Sequence, residues 1–438
     1  MRIHFIGIGG IGVSALAGYY LTRGHQVSGS NLEKSEITRA LTRKGVKIFI
    51  GHKGENLPLA TKLVIYSSAV SKDNLEILAA KKLGIKTLTY GEALGELTKK
   101  YFTIAVSGMH GKSTTTAMLA LLLEKAGLDP TVIIGTKLRE WRGANFRVGK
   151  SKYLIIEADE YRAAFLNYWP KMIVLTNIEA EHLDYYRDLN HILQVFKKYV
   201  SHLKRDGILV ANEDDKNILK LIGQTVRLPF TVQKYSLKQT EAENLKGLLK
   251  VPGRHNVSNA LAVLAVGRLL NISDEIIFQA LGKFRGAWRR FAYREKYNGA
   301  MIFDDYGHHP TEIKATLAGA RELMVQKKMI GNLWCVFQPH HYARLEALFP
   351  DFVQAFDEAD KIVLLDIYNV AGREDVRDKA ADDDLKQKLV TELVKKGKGV
   401  QSIATVPLAA DYLRENIKEG DLVILMGAGD IYRLKMKK

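Results

Sequence analysis

The chain has 438 residues, of which 47% are hydrophobic and 26% are charged, a balance that excludes a collagen-like, disordered or mainly membrane-embedded protein. At about 100–200 residues per domain, the length predicts two to four domains. The 65 Lys and Arg residues outnumber the 48 Asp and Glu residues, and the formal net charge of +17 favours anionic partners without choosing among them. The single cysteine, Cys335, excludes an intrachain disulfide and indicates a reducing compartment, so a cytoplasmic location is predicted.

The first 21 residues allow two interpretations. Residues 3–21 are nearly free of charge and contain Ala15-Leu16-Ala17, as a cleaved secretory signal would. Glycines at positions 7, 9, 10, 12 and 18 weaken such an apolar helix, and the same segment fits a strand over residues 2–6, a glycine turn, and a helix over 11–23. We favour the second interpretation, which starts a nucleotide-binding fold. No other stretch approaches the ~20 apolar residues of a membrane span, so none is expected.

Short apolar runs alternate with amphipathic stretches along the rest of the chain, which predicts an α/β fold of mainly parallel sheets covered by helices. Residues 238–250 are charged and weakly periodic, so we expect a solvated surface excursion there. New strands near Phe102 and Ala300 predict three domains, at 1–99, 100–288 and 289–438. Strands are predicted at 2–6, 47–50, 63–67, 102–106, 131–134, 153–157, 172–176, 208–211, 300–304, 333–337, 361–365 and 421–426, and helices at 11–23, 114–126, 190–202, 256–270 and 310–325.

The strongest motif is Gly108-Met109-His110-Gly111-Lys112-Ser113, which follows a predicted strand and opens a predicted helix. Its glycines let backbone N–H groups turn toward phosphate oxygens, and the helix N-terminus adds partial positive charge. Lys112 offers a point charge to the β- and γ-phosphates, and Ser113 offers a hydroxyl to Mg²⁺. Val106 stands where the Walker pattern usually has its first glycine. The alternative is a plain glycine turn before a helix.

A second glycine turn, Gly7-Ile8-Gly9-Gly10-Ile11-Gly12, matches G-x-G-x-x-G and would let a pyrophosphate approach a helix start. A dinucleotide site would place an acid about 20 residues further on, to hold a ribose. That region ends in Asn31 and has no acid. The pattern therefore disfavours NAD and leaves another diphosphate open, such as a UDP-sugar.

Acids and histidines follow several predicted strands, where open α/β sheets place their ligands. Glu157 to Glu160 and Glu179 to His182 follow neighbouring strands and predict a site for a hard cation that bridges ATP oxygens. The acids and histidines in the run from Asp304 to His309 suggest hydrogen bonds to ribose hydroxyls, proton transfer or contacts with a substrate. Asn256 and Asn259 lie three apart at the start of a helix, and an N-cap role for Asn256 is the simpler alternative.

Taken together, these motifs resemble the Mur ligases, along the full length of the chain. The resemblance implies a Rossmann-like N-terminal domain that binds a UDP-sugar, a central P-loop ATPase-type domain, and a Rossmann-like C-terminal domain. It implies a cytoplasmic, Mg²⁺- and ATP-dependent ligase of peptidoglycan synthesis, and so of cell shape and division, that joins L-alanine to UDP-N-acetylmuramate. The matching segments are GIGGIGVSALA (7–17), VSGS (27–30), SGMHGKSTTT (107–116), EADE (157–160), TNIEAEHLDYY (176–186), GRHNVSNALA (253–262), RRF (289–291), DDYGHHPTEI (304–313), FQPHHYAR (337–344) and MGAGDIY (426–432).

The resemblance also implies a role for individual residues. Lys112, Glu157 and His182 would be catalytic, and Ser113, Glu157 and His182 would be metal ligands. The amino acid would contact Tyr306, His308, His341 and Arg344. ATP would contact Gly108, Met109, His110, Gly111, Lys112, Ser113, Thr114, Asn256, Asn259, Arg290 and Asp305. The UDP-sugar would contact Gly7, Gly9, Gly10, Ile11, Gly12, Ser30, His52, Ser67 and Ser68.

Some positions depart from the family pattern. Asn31 stands where an acid is expected, Glu181 replaces Asp, Ser113 replaces the commoner Thr, and His341 replaces Arg. Tyr161-Arg162 is similar to a recycling ligase of the same family, which attaches a ready-made murein peptide to the same UDP-sugar. That activity is one alternative. The others are an NAD-dependent oxidoreductase and a basic nucleic-acid-binding protein, although we expect no nucleic-acid partner. A homodimer is left open.

Overall fold

The computed structural model describes residues 1–182, 185–223, 229–369 and 379–437, and its strands form sheets of five, seven and six strands. The chain divides into two compact units, which we call the first unit (Met1–Ala242 and Asn259–Leu281) and the second unit (Glu243–Ser258 and Gly282–Lys438). Within the described ranges, no helix is long and apolar enough to cross a membrane. The predicted α/β class is confirmed.

The five-stranded sheet of the first unit is parallel throughout, in the order β3-β2-β1-β4-β5. Its fourth helix begins after Thr89 because Thr89 and Glu92 accept hydrogen bonds from each other's backbone N–H groups, a capping box. The strands are β1 (Arg2–Ile6), β2 (Gln26–Asn31), β3 (Lys47–Ile50), β4 (Thr61–Tyr66) and β5 (Lys86–Thr89), and the helices are α1 (Ile11–Thr22), α2 (Glu36–Arg43), α3 (Leu75–Lys82) and α4 (Tyr90–Thr98), with a 3₁₀ turn at Gly54–Asn56.

The seven-stranded sheet, also in the first unit, has the order β12-β11-β10-β6-β9-β7-β8, and β8 at its edge is the antiparallel strand. Its strands are β6 (Phe102–Ser107), β7 (Thr131–Leu138), β8 (Ala144–Arg147), β9 (Tyr153–Glu157), β10 (Met172–Leu175), β11 (Ile208–Asn212) and β12 (Thr231–Tyr235). The helices that follow along the chain are α5 (Lys112–Lys125), α6 (Leu189–Val200), α7 (Lys216–Gly223), α8 (Glu241–Leu248), α9 (Arg254–Leu269) and α10 (Asp274–Leu281), with a 3₁₀ segment at Tyr161–Asn167. Most of α8 and the start of α9 belong to the second unit.

The hairpin β7–β8 packs against α1, so the two sheets of the first unit share one hydrophobic core. Phe146 lies directly over Gly18, where a Cβ atom would come within 2.3 Å of its ring. The Asn145 amide donates to the backbone oxygen of Ile11 at 2.5 Å and to the Ser14 hydroxyl at 3.1 Å. These contacts tie the helix after the first glycine turn to the central sheet.

The six-stranded sheet lies in the second unit and has the order β13-β14-β18-β15-β16-β17. Its strands are parallel except for the hairpin β13–β14 at one edge. The strands are β13 (Ala292–Tyr297), β14 (Ala300–Asp305), β15 (Leu333–Phe337), β16 (Lys361–Leu364), β17 (Gly399–Ser402) and β18 (Leu422–Met426), and the helices are α11 (Pro310–Gln326), α12 (Tyr342–Ala347), α13 (Phe349–Val353), α14 (Lys379–Lys395) and α15 (Val406–Asn416), with a 3₁₀ turn at Ile431–Arg433.

All twelve predicted strands are present, within two residues at each end except for β7, which runs four residues further. The structure corrects two expectations. Part of the predicted surface excursion is α8, because Ala242 and Leu245 are buried on one face. Asn256 is not an N-cap, because α9 already begins at Arg254. The domain boundaries near 99 and 288 stay predictions.

Candidate active site

The phosphate loop connects β6 to α5 in a conformation that requires its glycines. Gly108 and Gly111 have φ angles of 129° and 82°. A Cβ at Gly108 would lie 2.1 Å from the Thr176 hydroxyl, and one at Gly111 would lie 2.5 Å from the Asn259 side-chain oxygen. A glycine loop that ends at a helix N-terminus directs N–H groups toward an anion, which the helix dipole favours.

The end of β10 holds this loop in place. The Thr176 hydroxyl donates to the His110 carbonyl at 2.7 Å, and the Asn177 amide both donates to that carbonyl and accepts from the His110 N–H, at 2.9 and 2.8 Å. The Met109 N–H donates to the Asn177 carbonyl at 3.2 Å. The His110 ring pairs with Glu179. Two neighbouring strand ends thus build the loop jointly.

Lys112 is a mostly buried cation at the first position of α5. Its ammonium donates to the carbonyls of Gly108 and Met109 at 2.7 and 3.0 Å and lies 2.8 Å from the Glu160 carboxylate. Burial acts to lower the pKa of Lys112, but the carboxylates of Glu160, Asp159 and Glu157 outweigh it and raise that pKa above its ordinary value. The side chain therefore stays charged beside the loop at neutral pH.

Glu157 ends β9 and faces the start of α5. One carboxylate oxygen accepts from the Ser113 hydroxyl at 2.8 Å, and the other accepts from the Gly135 N–H at 2.8 Å. Thr114, the next residue of α5, is buried. Ser113 and Glu157 therefore present two oxygen atoms side by side next to the phosphate loop, and oxygen is the donor that Mg²⁺ prefers.

A second acidic group lies beyond Lys112. Glu160, Glu181 and His182 each offer a ligand atom, and these atoms lie within 4.8 Å of one another. His182 lies 3.4 Å from the Glu160 carboxylate. Burial opposes the charged form of each, yet the Lys112 ammonium and His182 keep the pKa of Glu160 below its ordinary value, and the neighbouring acids raise the pKa of His182. Of motif 176–186, residues 183 and 184 lie outside the described residues.

His182 was predicted to lie in this region, whereas Glu160, which contacts both Lys112 and His182, was not among the predicted site residues. Its side chain is 1% exposed. The signal was present, since Glu160 belongs to the acidic run after β9. Asp159 precedes it in the same run, and desolvation by the surrounding protein together with the nearby Glu160 charge raises the pKa of Asp159 to about 6.

The remaining predicted ATP residues lie apart from one another in the chain. Asn259 is buried beside Gly111 in the first unit. Within the second unit, Asn256 donates to the Pro252 carbonyl at 2.7 Å, and Arg290 lies 4.9 Å from the centre of the Tyr306 ring. The Asp305 carboxylate accepts from the backbone N–H groups of residues 291 and 307, both at 2.7 Å, so it shapes its own strand-end loop.

The residues predicted to bind the amino acid gather around His340, which was not among the predicted site residues. Its ring centre lies 5.8 Å from that of His308, which itself contacts Tyr306 at 5.4 Å. The Arg344 guanidinium lies 3.3 Å from His340 Nδ1, and the His341 ring contacts that of His340 at 4.0 Å. His341 precedes α12 with a φ of 67°.

The residues predicted to bind the UDP-sugar meet at the ends of β1, β2 and β4. The N–H groups of Gly7 and Ile8 donate to the Ser30 carbonyl at 2.9 and 3.0 Å, and the Gly9 N–H donates to the Asn31 side chain at 3.0 Å. Asn31, the expected site of an acid, therefore fastens the glycine turn.

The other members of this set lie close by. Gly10 caps α1, and Ile11 begins it. A Cβ at Gly12 would lie 2.9 Å from the Tyr90 ring, and one at Gly7 would lie 3.0 Å from Ser67. Ser68 is exposed, and His52 contacts the Ser30 hydroxyl through Nδ1 at 3.0 Å.

Three family descriptions match consecutive parts of the chain: the Mur ligase family catalytic domain over residues 2–102, the Mur ligase middle domain over 106–267, and the Mur ligase glutamate ligase domain over 289–429. The chain is 40% identical to a UDP-N-acetylmuramate–L-alanine ligase of Acetivibrio thermocellus, covering 99% of this chain and 94% of that protein. It is 39% identical to one of Caldanaerobacter subterraneus, covering 100% and 96%.

Two solved structures are similar over nearly the whole chain. The UDP-N-acetylmuramate-alanine ligase of Thermotoga maritima superposes with a TM-score of 0.80 at 28% identity, covering 99% of this chain and 97% of that one. A murein peptide ligase of Psychrobacter arcticus superposes with a TM-score of 0.72 at 23% identity, covering 100% and 98%. The second likeness shows a shared fold.

Proposed function

Because the chain belongs to the Mur ligase family, we propose that it joins L-alanine to the lactyl carboxylate of UDP-N-acetylmuramate at the expense of ATP, in peptidoglycan precursor synthesis. The name shared by its full-length relatives supports this pair of substrates. The structural observation that carries the proposal is the phosphate loop, with its charged Lys112 next to two sets of acidic side chains.

The chemistry accounts for that combination. A lactyl carboxylate oxygen attacks the γ-phosphorus of ATP, ADP leaves, and an acyl phosphate forms. The alanine amine attacks the acyl carbonyl, a proton leaves the nitrogen, and phosphate departs as the amide forms. Because the carboxylate and the triphosphate repel each other, the first step needs cationic groups fixed beside the transferred phosphoryl group. Lys112 supplies such a charge, and Glu160 holds it in place.

The side chains also fit a divalent cation. Ser113 and Glu157 present paired oxygen atoms, and Glu160, Glu181 and His182 form a compact group of two carboxylates and an imidazole. We propose that Ser113 and Glu157 hold one Mg²⁺ and that His182 holds a second. When bound, Mg²⁺ offsets negative charge on phosphate oxygens. Three buried or half-buried acids beside a phosphate site, Glu157, Glu160 and Glu181, need such compensation.

The two other substrates are assigned to the other strand ends. We propose that the glycine turn at residues 7–12, with Ser30, His52, Ser67 and Ser68, binds the UDP-sugar. The cluster of Tyr306, His308 and Arg344 around His340 offers a guanidinium and imidazoles to an amino-acid carboxylate. Asn256, Asn259, Arg290 and Asp305 stay predictions as ATP contacts.

The decisive experiment measures ADP release by the purified protein with ATP, UDP-N-acetylmuramate, L-alanine and Mg²⁺, and with each omitted in turn. We expect ADP and the alanyl product, identified by mass, only in the complete mixture. The absence of product in that mixture, with a folded protein, would overturn the proposal.

The recycling ligase remains the competing function, since its nucleophile is a larger peptide on the same UDP-sugar. The same assay separates the two activities when a tripeptide replaces L-alanine. We expect kcat/KM to favour L-alanine. A preference for the tripeptide would show that the chain is the recycling ligase. The ATP-dependent mechanism would be the same.

A further inference from the structure

A buried carboxylate beside the five-stranded sheet has no role in the chemistry described above. Glu76 is the second residue of α3, and its side chain is 0% exposed. An isolated carboxylate in such a place is costly, so it must be paired and hydrogen-bonded. Five donors surround it: His4 Nε2 at 2.8 Å, the Ser30 hydroxyl at 2.7 Å, Asn56 Nδ2 at 2.9 Å, His52 Nδ1 at 3.2 Å and the Lys53 N–H at 3.2 Å.

These donors keep the carboxylate ionised. Burial by itself raises the pKa of Glu76, but the hydrogen bonds from His4, Asn56 and Ser30 outweigh burial and hold that pKa below its ordinary value. An ionised carboxylate only accepts hydrogen bonds. Each imidazole nitrogen that faces it must therefore carry a proton, which fixes the tautomer of both histidines.

Two of the donors belong to the predicted UDP-sugar site. With Nδ1 of His52 bound to Glu76, the ring orientation is set and Nε2 is left for other partners. Within the described parts of the chain, His52 Nε2 makes no hydrogen bond, and the side chain is 14% exposed. The Ser30 hydroxyl donates to Glu76, while the Ser30 carbonyl accepts from the N–H groups of Gly7 and Ile8.

We propose that Glu76 is the positioning residue of the nucleoside-diphosphate-sugar site, holding the ring of His52 and the β2 end at Ser30 so that His52 Nε2 and the glycine turn receive the diphosphate. This inference rests on the proposed function for the identity of the ligand. A neutral His52 with its proton on Nδ1 can only accept at Nε2, so a bond to a phosphate oxygen needs the imidazolium form.

The first test is Glu76→Gln, which keeps the shape of the side chain and removes its charge. We expect KM and the directly measured Kd for UDP-N-acetylmuramate to rise about tenfold or more, because bonds to a charged group are lost. KM for ATP and kcat at saturation should stay within about twofold, since the phosphate loop of residues 108–113 is not touched.

The matched control is Glu92→Gln in the first turn of the neighbouring helix α4. Glu92 caps Thr89 and contacts neither Ser30 nor His52. The Glu92→Gln substitution should lower the melting temperature of the protein and leave its Kd for the UDP-sugar unchanged. An equal loss of UDP-sugar binding in both variants would show general destabilisation and overturn the inference.

A double-mutant cycle tests whether Glu76 acts through His52. In a His52→Ala background, Glu76→Gln should cost less affinity for the UDP-sugar than it does in the parent, since the ring it positions is gone. Full additivity of the two losses would overturn the proposal.

If Glu76→Gln does not fold, ¹⁵N NMR of the unsubstituted protein tests the same point. We expect His52 to carry its proton on Nδ1 and its Nε2 resonance to shift on titration with UDP-N-acetylmuramate but not with ATP. An unchanged Nε2 resonance at saturation would overturn the inference. If the unsubstituted protein neither binds nor ligates UDP-N-acetylmuramate, the proposed function fails instead. If the unsubstituted protein ligates it normally and the Glu76→Gln variant has the same Kd and KM for UDP-N-acetylmuramate, only this inference fails.

Discussion

The glycine turn at residues 7–12 and the phosphate loop at residues 108–113 use the same backbone device with different side chains. Each connects a buried parallel strand to the N-terminus of a helix, and each is too crowded for a Cβ at several glycines. The first is fastened by the side-chain amide oxygen of Asn31 and the backbone carbonyl of Ser30, which accept hydrogen bonds from its N–H groups. The second carries Lys112, with Glu160 and Glu157 around it.

We infer from this difference that backbone geometry provides the anion site, while charge decides what happens to the anion. A turn without a cation can hold a diphosphate that stays intact. A loop with a fixed ammonium and candidate metal ligands can stabilise a phosphoryl group as it is transferred. The following substitutions test this contrast, from the largest expected effect to the smallest.

Removing the cation should make the second loop resemble the first. Lys112→Ala should lower the rate of ADP formation by about 10²–10³, the usual loss for one charge stabiliser. Circular dichroism checks the fold, and Lys125→Ala at the exposed end of the same helix is the control. Near-normal turnover by a folded Lys112→Ala protein would show that this loop does not bind the transferred phosphate.

Removing a metal ligand should weaken the second loop without affecting the first. Glu157→Gln and His182→Ala should each raise the Mg²⁺ concentration for half-maximal rate by about tenfold or more. His182→Ala should reduce acyl-phosphate formation most. The control is Glu213→Gln, whose carboxylate pairs with Lys234 on the surface. Unchanged midpoints in both variants would remove these residues from the metal site.

Loosening the glycine turn at residues 7–12 should weaken only the binding of the UDP-sugar. Asn31→Ala frees the Gly9 N–H from its side-chain acceptor, and a typical hydrogen bond is worth about 1 kcal/mol, or roughly fivefold. We therefore expect KM for UDP-N-acetylmuramate to rise about fivefold while KM for ATP is unchanged. A parallel rise in both constants would contradict the separation of the two turns.

We propose that the end of β15 is a third kind of anion site, in which side chains rather than N–H groups bind the ligand. His341→Arg would place a second guanidinium near Arg344 and should lower KM for L-alanine by about fivefold or more. For the unsubstituted protein we expect alanine KM to improve as pH falls toward 6, because histidine is then more fully charged. Both expectations are checked by measuring KM for L-alanine between pH 6 and 8 for the unsubstituted protein and for His341→Arg. Identical, pH-independent KM values in the two proteins would show that His341 only packs against His340.

Sequence reasoning succeeded where the structural cause is local. The phosphate loop needs glycines and a helix start within six residues, and strands such as β9 and β15 are continuous buried runs with clear ends. It failed where the cause is a contact between distant residues. Glu160 lies 48 positions from Lys112, and Glu76 lies 72 positions from His4. Neither pairing can be recognised from neighbouring residues in the sequence, because only the folded chain brings the two partners together.

Short edge strands were the other failure. β8, β12, β13 and β17 are half exposed and carry polar or charged residues, so they lack the apolar runs that identified the buried strands. The structural role of Asn31 could not be predicted from the sequence either, because its hydrogen-bond partner is the backbone of the glycine turn. The absence of an acid there was visible, but the hydrogen bond to Gly9 that replaces it was not.

The packing of the hairpin β7–β8 on α1 has a consequence for how the chain folds. Phe146 and Asn145, which follow the predicted boundary at residue 99, complete the surface of a helix that precedes it. A fragment that ends near residue 99 would expose the glycine face of α1 to water and leave the Ile11 carbonyl without its amide donor. The first two sheets should therefore unfold in a single cooperative transition, although each has its own strand order and its own candidate ligand.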